Sequence, residues 1–420
     1  MSFASSIPFG RFPPARRAVA LAFFVNGFGI GSWAPEVPVL AARLDIGERT
    51  IGLLIVAFGL GGILTMPLIA RAIGRVGSRP PMLLTHFCAA FAFPALILAP
   101  DLAWAFAAIF LFGVMFAGMD AAMNANAISL ERQMDRAIMS SSHGFWSVGG
   151  FVGAGAGGPI IAAFGPAAHA AVVAAVILVC FALVWKMARD DRAAASTTPG
   201  KPSAMQAADA GTGSQTSGYG PAGLFSAVAI GLFALVAMLP EGGTIDWSAL
   251  YLKTELGADT ATSGFALAAF SAAMAIFRFL GDDIRNRLGA VRTVRLFAFV
   301  AACGLLLAGL AGHILVALAG FALAGIGLAN IVPIAFSAAG NVKGLPDGTG
   351  ISIATAIGYS GGLMAPSVIG FLAEHIGLAT VYLGMAGLLA IVLALSGMMA
   401  GADRERAEAP SGHGTGSLAP

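Results

Sequence analysis

Charge is what this chain has least of. Lys, Arg, Asp and Glu together supply 10% of its 420 residues, while 58% are hydrophobic and the mean hydropathy is +0.86. A water-exposed surface around a protein of this size needs roughly a quarter of its residues charged, so a soluble globular fold is excluded. The net charge of +2 is spread thinly along the chain, which excludes a nucleic-acid interface built on a basic patch. Cysteine is equally sparse: Cys88, Cys180 and Cys303 lie in different apolar runs, so neither a disulfide framework nor a clustered metal site is expected. No phosphate-cradling Gly-Lys-Ser/Thr string occurs, which argues against direct ATP drive. No cofactor and no metal are expected.

What fills the chain instead is apolar runs of roughly 20 residues, the length an α-helix needs to cross a bilayer. Runs such as Ile51 to Ile69 lack the alternation of a barrel strand, and lipid offers the backbone no other partner, so they read as helices. Twelve spans are predicted: 17–39, 50–73, 80–99, 102–128, 138–163, 167–187, 222–251, 261–281, 291–311, 314–337, 350–372 and 377–400. With both termini placed in the cytoplasm, 20 of the 23 basic residues fall on the inner side and only Arg43, Arg49 and Lys253 outside. The expected protein is all-α and multi-pass in the inner cell membrane. Its first span follows the basic pair Arg16 and Arg17 and is retained rather than cleaved as an export signal.

Residues 189–220 break the pattern with a polar, Ala-, Ser-, Gly- and Pro-rich stretch that reads as a flexible cytoplasmic linker. It separates an N-terminal six-helix bundle, 17–188, from a C-terminal one, 221–400; a cytoplasmic segment at 1–16 and a disordered tail at 401–420 flank them. The halves repeat. One constant offset lays Leu44, Gly52 and Arg75-Val76-Gly77 on Leu256, Gly264 and Arg287-Leu288-Gly289, and Gly149-Gly150 on Gly361-Gly362, while Trp33 meets Trp247 after a small adjustment. Two pseudo-symmetric bundles around a central cavity is the architecture of a parallel-repeat transporter.

Several residue types unusual in hydrocarbon stand at helical spacing. Asp120 and Asn124 share one face of span four, and His143, Trp146, Ser147 and Gly150 share one face of span five. Asp120 and His143 lie roughly 10 to 20 Å from the cytoplasmic edge at 1.5 Å per residue, so they can approach across a cavity as a proton-coupling pair; the plainer alternative is a satisfied buried hydrogen bond at each. Span seven holds Pro240-Glu241-Gly242-Gly243 and then Asp246-Trp247, a cluster expected to kink or unwind the helix and offer carboxylates to the cavity. Span one holds Asn26, Trp33, Pro35, Glu36 and Pro38 in a similar position, and span ten a break at Asn330 and Pro333. Proton coupling is thus assigned to Asp120, His143 and Glu241. Solute binding is assigned to Asn26, Trp33, Glu36, Asn124, Trp146, Ser147, Asp246, Trp247 and Asn330, with packing as the competing role of the tryptophans.

The loop after span two, Ala70-Arg71-Ala72-Ile73-Gly74-Arg75-Val76-Gly77-Ser78-Arg79, resembles the signature loop of the major facilitator superfamily, with Gly74 at its acid position, and the resemblance extends over all twelve spans. It implies a conformational role for Arg71, Arg75 and Arg79; in the second copy Arg278 and Asp282, one helical turn apart, are expected to pair. Asp120-Ala121-Ala122-Met123-Asn124 and His143-Gly144-Phe145-Trp146-Ser147-Val148-Gly149 look most like the fucose-permease branch, whose span-one acid falls here on Ala34, with Glu36 the nearest carboxylate. Span five also carries Ala154, Gly158-Pro159 and Ala162-Ala163 at the spacing of the superfamily's antiporter signature.

Two catalytic-looking strings are rejected. Gly153 to Gly158 fits a dinucleotide fingerprint and Gly358 to Gly362 a nucleophile elbow, but both sit inside apolar spans without the strand and turn those motifs require. The expected function is secondary transport of a small polar, sugar-like solute by proton symport, not an enzyme, with no obligate protein partner implied. Proton-coupled efflux is the nearest rival, and a membrane receptor or membrane-embedded enzyme the remote one.

Overall fold

In the computed structural model, which describes residues 13–134, 138–191, 220–345 and 349–403, the chain is helical wherever the apolar runs lie. The N-terminal segment 1–12 and most of the expected linker and tail fall outside those residues. Span one is a bent pair, Pro14–Trp33 and Glu36–Leu44, turning by 40° at Ala34-Pro35. Spans two to four are Glu48–Val76, Arg79–Ile97 and Leu102–Met134. Spans five and six form one 49-residue run, Met139–Met187, interrupted at Gly165, whose φ of 83° reverses the chain. Spans seven to twelve are Pro221–Thr254, Phe265–Leu288 with the preceding turn Thr260–Ser263, Ala290–Gly309, Ile314–Leu328 with Ile331–Gly340, Thr349–Ile376, and Leu378–Leu395. The protein is an all-α integral membrane protein of twelve transmembrane helices in two six-helix bundles. Large side chains such as Leu68 and Leu84 face outward, 62% and 64% exposed, as a lipid-solvated surface requires. We call the end of the bundles bearing Pro14 and Pro221 proximal and the other distal.

The helix-breaking residues divide in their effect. Span one bends at Pro35, and span ten breaks at Asn330, which leaves helical geometry at φ −125° and ψ 0°. Span seven corrects the expectation of an unwound turn. Pro221–Thr254 runs as one helix through Pro240 to Gly243, and Thr244 donates its hydroxyl to the Pro240 carbonyl at 2.8 Å.

The internal repeat is written in the backbone. Gly77 and Gly289, which end spans two and eight, have φ of 80° and 78°; Gly165 and Gly377, between the last two spans of each half, have 83° and 79°; Asp45 and Gly257 have 52° and 67°. Every one of these pairs keeps the separation of Leu44 from Leu256. Side chains obey the offset too. Asp191, just after span six, accepts the Ser78 N–H at 2.8 Å, and Asp403, after span twelve, accepts the Ala290 N–H at 2.8 Å. Each carboxylate thereby satisfies a donor at the start of the third helix of its own half, where helix amides lack intrahelical partners. Arg79 adds bonds to the carbonyls of Trp185 and Ala188 at 2.8 and 3.0 Å, and Arg285 bonds to the Ala402 carbonyl.

The halves meet along two seams lined with small residues. Span two meets span eleven at the distal end: a Cβ on Gly52 would lie 2.6 Å from the Pro366 carbonyl oxygen, and one on Gly370 2.6 Å from that of Glu48. Span five meets span eight from Gly158, against Thr260 and Ala261, through Gly150, against Ser271, to Gly144, against Phe279. Backbone approach this close needs residues without side chains. The structure is closed at its distal end.

Candidate functional site

The seam of spans five and eight brings polar groups of both bundles together at Arg278. From span eight, Arg278 Nη2 donates to Glu241 Oε1 of span seven at 2.9 Å, and Nη1 donates to Ser147 Oγ of span five at 3.0 Å. Both charged side chains retain some exposure, 14% and 18%, so the pair borders a space rather than being sealed in the packing. Ser147 is fully buried and its hydroxyl also reaches the His143 carbonyl at 3.3 Å. Beside it, Phe279 packs edge-on to Phe145 with centroids 6.3 Å apart and lies over Gly144. The expected partner of Arg278, Asp282, has a side chain outside the described residues. The Glu241 pairing joins groups 37 positions apart, which helical spacing within one span cannot reveal.

Asp120 sits on the interior strip of span four. At about 100° per residue, it shares a strip with Asn124, flanked by Phe116, which touches Gly29 of span one, and by Ala117, which touches Gly62 of span two. Leu111, 43% exposed, lies about 180° away on the lipid side. Asn124 donates to the Asp120 carbonyl at 2.8 Å and to its carboxylate at 3.3 Å. His143 places its ring edge-on to Phe23, centroids 5.1 Å apart, within the electrostatic reach of Arg278. The structure does not join Asp120 to His143 by a hydrogen bond or ion pair among the described contacts.

The other expected site residues separate into lining and packing. Asp246 is partly exposed, one turn beyond Gly242, where a Cβ would meet nothing within 4 Å, so this strip of span seven faces open space. Trp146 is also partly exposed, but its indole N–H is donated to Asn26 Oδ1 at 2.9 Å. Asn26, 3% exposed, gives its own N–H to the Phe116 carbonyl at 3.0 Å. With donor and acceptor both engaged, Asn26 ties spans one, four and five together. Trp33 and Trp247 are 5% and 0% exposed, which places both indoles in helix packing. Asn330 donates to the Phe277 carbonyl at 2.8 Å and bridges spans ten and eight. Glu36 is 1% exposed and bonded to His169 at 2.6 Å, away from the Arg278 junction. Arg71 and Arg75 are exposed at the proximal surface, and Arg79 binds within its own half. Among the described residues no three His, Cys, Asp or Glu side chains gather as a metal site would require.

Sequence reading missed His169, Phe23, Asp191 and Asp403. The two aspartates carried a usable signal, since they stand apart by the same interval as Gly77 and Gly289.

Two pseudo-symmetric membrane bundles, bridged by the Arg278–Ser147 hydrogen bond, define a membrane transporter of the parallel-repeat class. The comparisons agree: the sequence pattern of the Major Facilitator Superfamily matches residues 19–344 and 244–419, and the chain belongs to that superfamily. It is 34% identical over 379 residues to an uncharacterized MFS-type transporter of Yersinia pestis, covering 90% of this chain and 93% of the relative. An uncharacterized transporter of Sinorhizobium fredii is 32% identical over 360 residues, covering 85% and 91%. Among solved structures, a mutant of the nucleoside transporter NupG superimposes with a TM-score of 0.70 at 12% identity, covering 92% of this chain and 99% of that one. The human organic anion transporter MFSD10 does so with a TM-score of 0.66 at 17% identity, covering 92% and 100%. These likenesses establish the fold.

Proposed function

We propose that the chain moves a small polar organic solute across the inner membrane by alternating access, coupled to proton symport, with its termini in the cytoplasm. In that orientation the distal end faces outward and the structure is the outward-closed state. The observation that carries this reading is Arg278, which binds Glu241 in its own half and Ser147 in the other. Rocking the halves apart along the span five and span eight seam breaks the Ser147 bond and leaves the Arg278–Glu241 pair within one bundle. A solute hydroxyl then has a donor to replace the serine. Protonation of Glu241 or of Asp120 would remove one interior charge and alter which state of the cycle is favoured.

The resemblance of spans four and five to the fucose-permease branch supports a sugar-like solute, and the structural neighbours carry nucleosides in one case and organic anions in the other. Efflux by proton exchange is favoured by one observation, the Ala154, Gly158-Pro159 and Ala162-Ala163 spacing in span five. A thermal-shift screen of polyols, nucleosides and organic acids on purified protein identifies the solute class through ligand stabilisation. Proteoliposomes with an imposed pH gradient then test the coupling. Accumulation toward the alkaline side supports symport, accumulation toward the acidic side supports exchange, and accumulation that persists after a protonophore removes proton coupling altogether. Glu241→Gln is expected to abolish gradient-driven accumulation while retaining solute exchange at equal pH.

A further inference from the structure

The proposed proton and solute site leaves one buried carboxylate–imidazole contact unused. His169 Nδ1 lies 2.6 Å from Glu36 Oε1, and the two residues are each 1% exposed. Glu36 is the first residue of the segment beyond the span-one bend, where a helix N-terminus favours a carboxylate. His169 lies shortly beyond Pro166, in the first turn of span six, and Phe93 of span three packs edge-on against its ring at 5.8 Å. Span five crosses directly over the pair at Gly157, where a Cβ would meet Pro35 Cγ at 2.6 Å and His169 Nε2 at 3.1 Å. Pro35 in turn touches the other bundle, since a Cβ on Gly264 of span eight would lie 3.3 Å from Pro35 Cβ and against the Ala154 carbonyl. One turn of chain therefore links the Glu36–His169 contact to the place where spans one, five and eight close the distal end.

A buried pair of this kind is poor evidence for stability, because desolvation offsets most of its attraction. Its geometry is what the fold gains. We propose that Glu36 and His169 are positioning residues for distal closure: their bond fixes the bend of span one so that Pro35 seats against spans five and eight. This rests on the alternating-access reading but not on the solute or on protons, and its test uses neither. The chain's three cysteines are replaced by serine and Gly242→Cys supplies one reporter thiol beside the open strip of span seven. Labelling by an impermeant maleimide from the distal side is then timed without solute or pH gradient.

His169→Ala is expected to raise the labelling rate about tenfold or more, the shift that corresponds to about 1.4 kcal/mol between states. His169→Asn keeps an N–H near the Nδ1 position and should label near the wild-type rate. Folded His169→Ala protein that labels like wild type overturns the proposal, as does equal labelling by the Ala and Asn variants. If His169→Ala does not fold, Glu36→Leu decides: it keeps most of the side chain's bulk but offers His169 no acceptor. Faster labelling supports the strut, and an unchanged rate overturns it.

Discussion

A single methyl group at Gly52 is expected to open the distal end of this transporter without unfolding it. In the closed state a Cβ there would lie 2.6 Å from the Pro366 carbonyl oxygen and 3.2 Å from Ser367 Cα, both backbone atoms of the other bundle. No rotamer change relieves that contact. Overpacking of this kind costs about 1–3 kcal/mol, and here the cost falls only on the state in which spans two and eleven touch. Alanine meanwhile favours the helix over glycine by about 0.5–1 kcal/mol in both states. Gly52→Ala should therefore shift the equilibrium toward the distally open state by about 5- to 150-fold, the ratio equivalent to that clash, with no loss of thermal stability. Gly74→Ala is the control, because it lies in the same helix and its Cβ would meet nothing within 4 Å. Distal thiol labelling at Gly242→Cys reads the shift. Wild-type labelling rates in well-folded Gly52→Ala protein would refute the idea that this seam closes the distal end.

Three further outcomes follow from particular contacts. Asn26→Ala leaves the Trp146 N–H and the Phe116 carbonyl without their partner, so thermal unfolding should register a loss of about 1–3 kcal/mol, with solute affinity in the surviving protein unchanged. Asp191→Ala and Asp403→Ala remove equivalent helix caps, and each should lower stability by a similar amount, about 0.5–2 kcal/mol; an effect of one without the other would show the two caps are not energetic equivalents. Asp120→Asn should preserve fold and solute exchange but abolish proton-driven accumulation in proteoliposomes, and full accumulation by that variant would remove Asp120 from the coupling.

Much of this architecture was legible before any coordinates. Hydrocarbon admits only backbone that satisfies itself, so the long apolar runs had to be helices, and the constant offset between the halves announced the repeat that the matched φ angles of Gly77 and Gly289 display. Asp120 and Asn124 were legible as a pair for the same local reason, since i and i+4 share a helix face. The site assignments that changed were questions of packing. Asn26, Trp33 and Glu36 looked like cavity residues because polar and aromatic groups in a membrane helix invite that reading, but all three are packed. Helices far away in the chain supply the partners of two of them, Phe116 and Trp146 for Asn26 and His169 for Glu36.

The sequence by itself determined the length and number of the crossings, because bilayer thickness and backbone hydrogen bonding act on each segment alone. Only the tertiary structure decided that Arg278 faces Glu241 and Ser147 and that Pro240 leaves span seven intact. Those outcomes depend on the rotation of each helix about its axis, which is set by how glycine and alanine surfaces of separate spans fit together.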